Sequence, residues 1–131
     1  MKHPVFLTDK SRSVLLELVE GLPDAALPDS CRPFEVLEPV TSGESSEKHL
    51  PLIKADGCHV SVEIGALSHP MSEEHRISWV CLETQAGTFM RAPLAPSCRP
   101  EVHFTLEPGD RPKAAYALCS LHGLWKAEWK E

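Results

Sequence analysis

The sequence lacks a long apolar run, a cluster of basic residues and any closely spaced pair of cysteines. No apolar stretch approaches the roughly 20 residues of a membrane-spanning helix, which excludes a predicted transmembrane segment. A formal net charge of −6 over 131 residues argues against a nucleic-acid-binding protein. The apolar part of residues 1–9 is too short for a signal peptide, and charged residues follow it too soon. We therefore expect a cytoplasmic location.

The five cysteines form a poor disulfide framework, because their number is odd and their spacing is wide. The absence of C-x-x-C also excludes a zinc ribbon held by four thiolates. Reduced thiols in a reducing compartment are the better interpretation. We expect Cys31, Cys58, Cys81 and Cys98 to be buried and to act as small hydrophobic side chains.

The pattern of apolar residues predicts an all-β fold. Twelve prolines disfavour long helices. Apolar and polar residues alternate instead in four stretches: 59–64, 76–82, 101–106 and, more weakly, 113–118. The side chains predicted to face inward in the first three are Val60, Val62, Ile64, Ile77, Trp79, Cys81, Val102, Phe104 and Leu106. Short strands separated by turns rich in Gly and Pro predict a β-sandwich or a barrel.

A polar stretch at residues 41–46, Thr-Ser-Gly-Glu-Ser-Ser, predicts a linker between two parts of the chain. The part before it, residues 1–40, contains two apolar stretches at 14–19 and 34–37. About forty residues are too few to build a stable core without a staple or a partner. We therefore expect this unit to pack on the main domain, residues 47–131, or on another chain.

Cysteine and histidine occur in patterns typical of a metal site. Cys119 and His122 offer a thiolate and an imidazole to one point near the end of the chain. His49 precedes the first expected strand of the main domain, while His69 and His75 lie in a loop between predicted strands, where sites are often carried. One thiolate among several imidazoles favours redox iron or copper over structural zinc.

Each of these residues also has an ordinary interpretation. For His69 or His75 alone, a ligand and a structural histidine are equally good explanations. Cys119 taken alone could be a buried small hydrophobe. His59 and His103 fall on the polar sides of predicted strands, so we expect both to be surface residues, and we expect the same of the terminal His3.

Four motifs taken together resemble the superoxide reductase family, the neelaredoxin and desulfoferrodoxin group. They occur in order over residues 47–131 and read Glu47-Lys48-His49, His69-Pro-Met, Glu74-His75-x-Ile-x-Trp79 and Cys119-x-x-His122-Gly-x-Trp-Lys-Ala-Glu128. Each motif alone is weak, but four in sequence are specific. The resemblance implies an immunoglobulin-like β-sandwich that holds one mononuclear, non-haem iron.

Motif position implies a role for each residue. The implied equatorial ligands are His49, His69, His75 and His122, with Cys119 as the axial thiolate. Glu47 matches the sixth ligand of the ferric form, and Lys48 matches the lysine that assists catalysis. The implied reaction is the one-electron reduction of superoxide to hydrogen peroxide. An external electron donor such as rubredoxin restores the ferrous form, and family members form homodimers or homotetramers.

The N-terminal unit departs from the desulfoferrodoxin pattern. That branch carries a C-x-x-C and an adjacent cysteine pair for a second, rubredoxin-like iron, whereas residues 1–40 retain only Cys31. The resemblance therefore implies a degenerate desulforedoxin-like domain without metal. In the main domain, Ser120 replaces a common asparagine and Arg76 replaces an aromatic residue. We expect Ser120 to alter hydrogen bonding around the Cys119 sulfur, and Arg76 either to add positive charge near the site or to be solvated.

Two functions of other classes remain as alternatives. One is a non-catalytic metal-binding or redox-sensing β-sandwich, and the other is an interaction module whose histidines are incidental. The Glu47-Lys48 pair favours the enzyme over the first, because a storage site needs neither a sixth ligand nor a cation for substrate. Five candidate ligands matching in order disfavour the second.

Overall fold

A computed structural model of the chain describes residues 4–21, 27–67 and 69–131, so His3 lies outside the described residues. The chain divides into two compact units, Met1–Glu38 and Pro39–Glu131. Nearly all regular structure in the described ranges is β, arranged as three antiparallel sheets. The prediction of an all-β fold is therefore confirmed. No helix in these ranges is long and apolar enough to span a membrane.

The first unit is a small sheet with strand order β2-β1-β3. Its strands are β1 (Val5–Thr8), β2 (Leu15–Leu18) and β3 (Glu35–Leu37), with a short 3₁₀ helix at Asp29–Cys31. The central strand β1 is buried along its whole length, and its neighbours are less so. Asp9 closes the β1–β2 turn by accepting hydrogen bonds from the Ser13 hydroxyl and backbone N–H, which lower the pKa of its carboxyl group.

The second unit is an immunoglobulin-like β-sandwich. One sheet has the order β10-β9-β6-β7 and the other β4-β5-β8. The elements are α1 (Ser46–His49), β4 (Pro51–Asp56), β5 (His59–Ile64), β6 (Ile77–Thr84), β7 (Phe89–Pro93), β8 (Glu101–Thr105), β9 (Pro112–Cys119) and β10 (Gly123–Glu128). The four stretches of alternating residues thus form β5, β6, β8 and β9. Of these, β5, β6 and β9 are interior strands of the two sheets, and β8 is an edge strand.

The hydrophobic core lies between the two sheets. From β5 it receives Val60, Val62 and Ile64, all fully buried as the alternation predicts. The facing sheet contributes Val80 and Leu82, which are also fully buried, together with small alanines of β9. Burying a side chain of this size contributes roughly 1.5–3 kcal/mol to folding, so the core is a rigid support for the loops at its end.

The prediction of which β6 side chains face the core is correct at Ile77 and wrong at Trp79 and Cys81. The pairing of β6 with β9 shifts between Ile77 and Trp79, and such a bulge moves the following side chains to the other face. Val80 and Leu82 therefore join the core, whereas Trp79 is half-buried and Cys81 lies outside the core cluster.

The expectation of buried thiols holds for only part of the set. None of the five cysteines forms a disulfide. Cys81 is buried as predicted, and Cys31 and Cys58 are half-buried. Cys98 is exposed, so its predicted burial is wrong. It follows Ser97, a non-glycine residue with a positive φ of 67°, in a turn between β7 and β8, where no sheet covers it.

The end of β5 approaches the helix α1 closely at Gly65. This residue has a φ of +84°, a conformation that glycine adopts without the steric cost other residues incur. Its N–H donates to the Leu50 carbonyl, and the Leu67 N–H donates to the Glu47 carbonyl. A Cβ atom at Gly65 would lie 2.6 Å from the Lys48 carbonyl oxygen. The turn after β5 thereby fixes α1 and the residues it carries.

Candidate metal centre

Cys119 is the last residue of β9 and pairs with Ile77 at the start of β6. Its side chain is 2 % exposed. The turn between β9 and β10 brings His122 back over it, and the His122 backbone N–H donates to the Cys119 Sγ at 3.4 Å. A hydrogen bond of this kind stabilises negative charge on sulfur, and the sheet holds the sulfur in place.

Two histidines are oriented by backbone carbonyl groups. His49, at the end of α1, donates from Nδ1 to the Ser45 carbonyl over 2.9 Å, and His69 donates from Nδ1 to the Pro70 carbonyl over 2.7 Å. Both side chains are buried, at 2 % and 3 % exposed. With Nδ1 carrying the proton, Nε2 of each ring keeps its lone pair. Metal-binding histidines are commonly fixed in this way.

Four imidazole rings form a closed cycle. Neighbouring ring centroids are 4.7 Å apart for His49 and His69, 4.8 Å for His69 and His75, and 5.0 Å for His75 and His122. The separation of His122 from His49, also 5.0 Å, closes the cycle. Adjacent rings are nearly perpendicular, with interplanar angles of 71–82°. Four rings around a common centre are what a plane of four nitrogen ligands requires.

The thiol of Cys119 faces this cycle. Its Sγ lies 3.4 Å from Nε2 of His69 and 3.7 Å from Nδ1 of His122. Nδ1 of His122 is in turn 3.2 Å from Nε2 of His49. Potential ligand atoms of His49, His75, Cys119 and His122 all lie within 4.8 Å of one another. The structure therefore brings all five predicted ligands together.

Burial favours the uncharged form of two of these rings, those of His69 and His75. It lowers the pKa of His69 to about 4, with the neighbouring histidines adding to the effect. Burial also lowers the pKa of His75, helped by His122, His49 and the positive charge of Lys48. A neutral imidazole is the form that binds metal, so the pKa shifts of His69 and His75 both favour coordination.

A buried nitrogen in the cluster supplies a test of whether a metal fits. Within the described part of the chain, Nε2 of His75 is buried and has no hydrogen-bond partner. An unsatisfied buried polar atom costs about 1–3 kcal/mol, and native proteins rarely leave one without a reason. A metal ion coordinated by this nitrogen would remove the cost. The donor set of four imidazoles and one thiolate suits iron or copper.

The remaining candidates of the first motif lie beside the cluster. Glu47 and Lys48 are exposed residues of α1, immediately before His49. The positive charge of Lys48 is the smallest of the causes that lower the pKa of His75. His122 is also exposed, so solvent and small solutes reach this side of the cluster.

Trp125 is closer to the chemistry than sequence reasoning indicates. Its ring stacks on His49 with centroids 4.6 Å apart and an angle of 12°, and its Nε1–H donates to the His122 carbonyl at 3.1 Å. One buried side chain thus supports two candidate ligands. The spacing His122-Gly-Leu-Trp125 on a turn and strand is the signal that could have indicated this contact.

His59 and His103 lie away from the cluster, on β5 and β8, as expected for surface residues. Both are exposed, and they contact each other, with Nε2 of His59 3.0 Å from Nδ1 of His103. His103 also contacts Glu101 at 3.3 Å. Neither ring belongs to the cycle described above.

Fold and site together define a class of protein: a β-sandwich with a cluster of four histidines and one cysteine able to hold a metal ion. The model of the desulfoferrodoxin family matches residues 41–128. The desulfoferrodoxin homolog of Archaeoglobus fulgidus is 38 % identical over 96 residues, which cover 73 % of this chain and 74 % of that protein. The desulfoferrodoxin of Nitratidesulfovibrio vulgaris is 34 % identical over the same length and covers the same shares.

Solved structures of superoxide reductases superpose on this chain. The superoxide reductase of Treponema pallidum superposes with a TM-score of 0.76 at 28 % identity, covering 96 % of this chain and 98 % of that one. The 1Fe superoxide reductase of Giardia intestinalis superposes with a TM-score of 0.55 at 28 % identity, covering 65 % and 99 %. The chain belongs to the superoxide reductase family, in which the desulfoferrodoxins are grouped.

Proposed function

We propose that the chain is a superoxide reductase that catalyses the one-electron reduction of superoxide to hydrogen peroxide. The observation that carries the proposal is the closed cycle of four imidazoles facing the Cys119 thiol. Relatives named superoxide reductase, including the full-length match from Treponema pallidum, support it. The reaction consumes one superoxide, one electron and two protons for each peroxide formed.

In this proposal His49, His69, His75, His122 and Cys119 would together hold one iron ion. Ferrous iron in this position would supply the single electron that superoxide requires. The Cys119 thiolate adds electron density, as thiolate ligands do in haem proteins. The carbonyl groups of Ser45 and Pro70 hold two of the imidazoles in the correct tautomer.

The Lys48 ammonium group attracts the substrate. Superoxide is an anion, and a protein of net charge −6 repels it overall. A local positive charge on the exposed side of the cluster opposes that repulsion and raises the local concentration of anions. Lys48 is exposed and directly precedes the candidate ligand His49 on α1, and its charge contributes to the lowered pKa of His75.

Lys48→Ala is expected to slow superoxide capture by about tenfold at low ionic strength, with a smaller effect in high salt because salt screens the attraction. Pulse radiolysis of the ferrous protein measures the second-order rate constant. Lys54→Ala is the matched control, since Lys54 is an exposed lysine of β4 and its loss changes net charge equally. Equal rate constants for the two variants would refute the role of Lys48.

In this proposal Glu47 would be a further ligand of the ferric ion. Its carboxylate is exposed at the start of α1, two residues before His49. Glu47→Ala should move the sulfur-to-iron absorption band of the oxidised protein and change its dependence on pH, because solvent replaces the carboxylate. Visible spectra recorded between about pH 5 and 10 test this assignment of Glu47, with Glu44→Ala as the control. A band that responds identically in both variants contradicts the assignment.

The N-terminal unit lacks the ligands of a second iron. Cys31 is its one cysteine, and four thiolates are needed for a rubredoxin-like centre. We therefore propose one iron per chain, with residues 1–40 as a degenerate desulforedoxin-like domain, 41–46 as a linker and 47–131 as the iron domain. A donor such as rubredoxin would return the electron, and the protein would act as a homodimer or homotetramer.

Product stoichiometry tests the proposed reaction. A known amount of superoxide is generated by radiolysis in the presence of excess ferrous protein, and hydrogen peroxide is then measured. A reductase forms one peroxide for each superoxide and oxidises one iron, at a rate on the order of 10⁸ M⁻¹ s⁻¹ or above, near the diffusional ceiling. A protein that binds iron but leaves superoxide to decay spontaneously would instead be a non-catalytic metal-binding or redox-sensing module.

A further inference from the structure

The Ser120 side chain joins two segments that carry candidate ligands. Its Oγ accepts a hydrogen bond from the Arg76 backbone N–H at 3.0 Å and donates one to the Glu74 carbonyl at 3.0 Å. The Ser120 backbone N–H also donates to the Arg76 carbonyl at 2.9 Å. One serine thus makes three hydrogen bonds to residues 74 and 76.

The residue between these two attachment points is His75. The regular pairing of β6 with β9 ends at Ile77 and Cys119, so the ladder itself does not reach His75. The Ser120 hydroxyl extends the pairing past that end and holds the backbone on both sides of the histidine. Ser72 bonds to the backbone of His75 from within the same loop, and its contacts do not connect that loop to β9.

The Ser120 hydroxyl does not contact the Cys119 sulfur in any hydrogen bond of the described residues. The backbone N–H that donates to Sγ belongs to His122. The expectation that Ser120 alters hydrogen bonding at the sulfur is therefore wrong. The hydroxyl acts instead on the loop that presents His75, the ring whose buried Nε2 has no hydrogen-bond partner in the described ranges.

We propose that Ser120 is a positioning residue that fixes the His75 imidazole relative to the Cys119 sulfur. It would thereby set how strongly the His75 imidazole and the Cys119 thiolate each bind the iron. This inference rests on the proposed iron centre. A small displacement of His75 weakens one equatorial donor, which leaves ferric iron more electrophilic. The sulfur-to-iron transition then falls in energy, and the ferrous form becomes easier to reach.

Three serine variants test the inference. Ser120→Ala removes both side-chain hydrogen bonds, whereas Ser120→Thr keeps the hydroxyl at an exposed position that has room for a methyl group. Ser61→Ala, on β5, is the control for loss of a hydroxyl elsewhere in the sandwich. Three properties are measured: the rate of iron loss to a chelator, the position of the visible band of the oxidised protein, and the reduction potential.

Ser120→Ala is expected to lose iron about tenfold faster than the wild type, the lower end of the effect of removing a residue that orients a metal ligand. Its band should move to longer wavelength and its potential should rise, while Ser120→Thr and Ser61→Ala should match the wild type. A purely structural role would lower thermal stability without moving the band or the potential. That outcome, or no difference from wild type, overturns the inference. Wild-type protein that binds no iron would instead refute the proposed centre itself.

Discussion

Gly65→Ala is expected to be among the most damaging single substitutions in the main domain, lowering the free energy of unfolding by about 3 kcal/mol. Gly65 has a φ of +84°, and a Cβ there would lie 2.4 Å from the Leu67 carbonyl oxygen and 2.6 Å from that of Lys48. Both neighbours are backbone atoms, which cannot rotate away as a side chain can. The substitution must therefore displace the end of α1, which carries Lys48 and His49.

Gly109→Ala is the matched control for this prediction. Gly109 has a similar φ of +88°, but nothing lies within 4 Å of the position a Cβ would take. Its substitution incurs the left-handed backbone cost of about 1 kcal/mol and little else. Urea unfolding of both variants gives the two free energies, and a chelator competition reports iron affinity. Equal destabilisation, with iron held equally well, would mean that the close approach of Gly65 to α1 has no energetic importance.

The second large effect is expected from Cys119→Ser, which should abolish the visible absorption band of the oxidised protein and its fast reaction with superoxide. The two side chains have nearly the same shape, so the fold should tolerate the change, with a loss of stability because Cys119 is 2 % exposed and the new hydroxyl is buried. A serine hydroxyl does not ionise near neutral pH, whereas a thiol beside a metal does. The axial donor is therefore lost while the imidazole cycle remains.

Cys81→Ser provides the control for Cys119→Ser. Cys81 is fully buried on β6 and forms no disulfide, so both variants bury a new hydroxyl at a sheet position. The Cys81 variant should keep the band, the iron and the rate, with only the loss of stability that a buried hydroxyl causes, about 1–3 kcal/mol. A band that survives in Cys119→Ser would show that the chromophore does not involve this sulfur.

The five candidate ligands were predicted from the resemblance of four ordered motifs to the superoxide reductase family, since residue chemistry alone left His69, His75 and Cys119 open. The structure brings the five side chains together, and their binding of a metal stays a prediction. Central strands could be predicted equally well. In β5 alternate residues are buried, and Val60, Val62 and Ile64 face the core as the pattern predicts.

The alternation of apolar and polar residues identified β8 but not the other three edge strands of the sandwich, and the reason is physical. Edge strands bury less of each face, so their alternation is weak. β4, β7 and β10 are all edge strands of the sandwich, and β4 begins at a proline. The inward-facing residues of β6 were predicted wrongly for a different reason. The bulge between Ile77 and Trp79 arises in the pairing of β6 with β9, and the periodicity of one segment alone does not indicate such a bulge.

The contacts through which residues support the site could not be predicted from the sequence. Ser120, Gly65 and Trp125 act through contacts with the Glu74–Arg76 backbone, the Lys48 backbone and the His49 ring. Each partner is distant in sequence, and serine, glycine and tryptophan are compatible with many other environments. Such residues become recognisable once the fold sets the neighbouring backbone in place.

Metal analysis combined with a visible spectrum of the same oxidised sample tests the iron–thiolate centre most directly. Protein produced with ample iron and treated with ferricyanide should contain one iron per chain and be blue or green, because the Cys119 thiolate transfers charge to ferric iron. A colourless protein under these conditions, whether it holds zinc, iron without the band or no metal, would contradict the centre. Iron near two per chain would contradict the assignment of the N-terminal unit as metal-free.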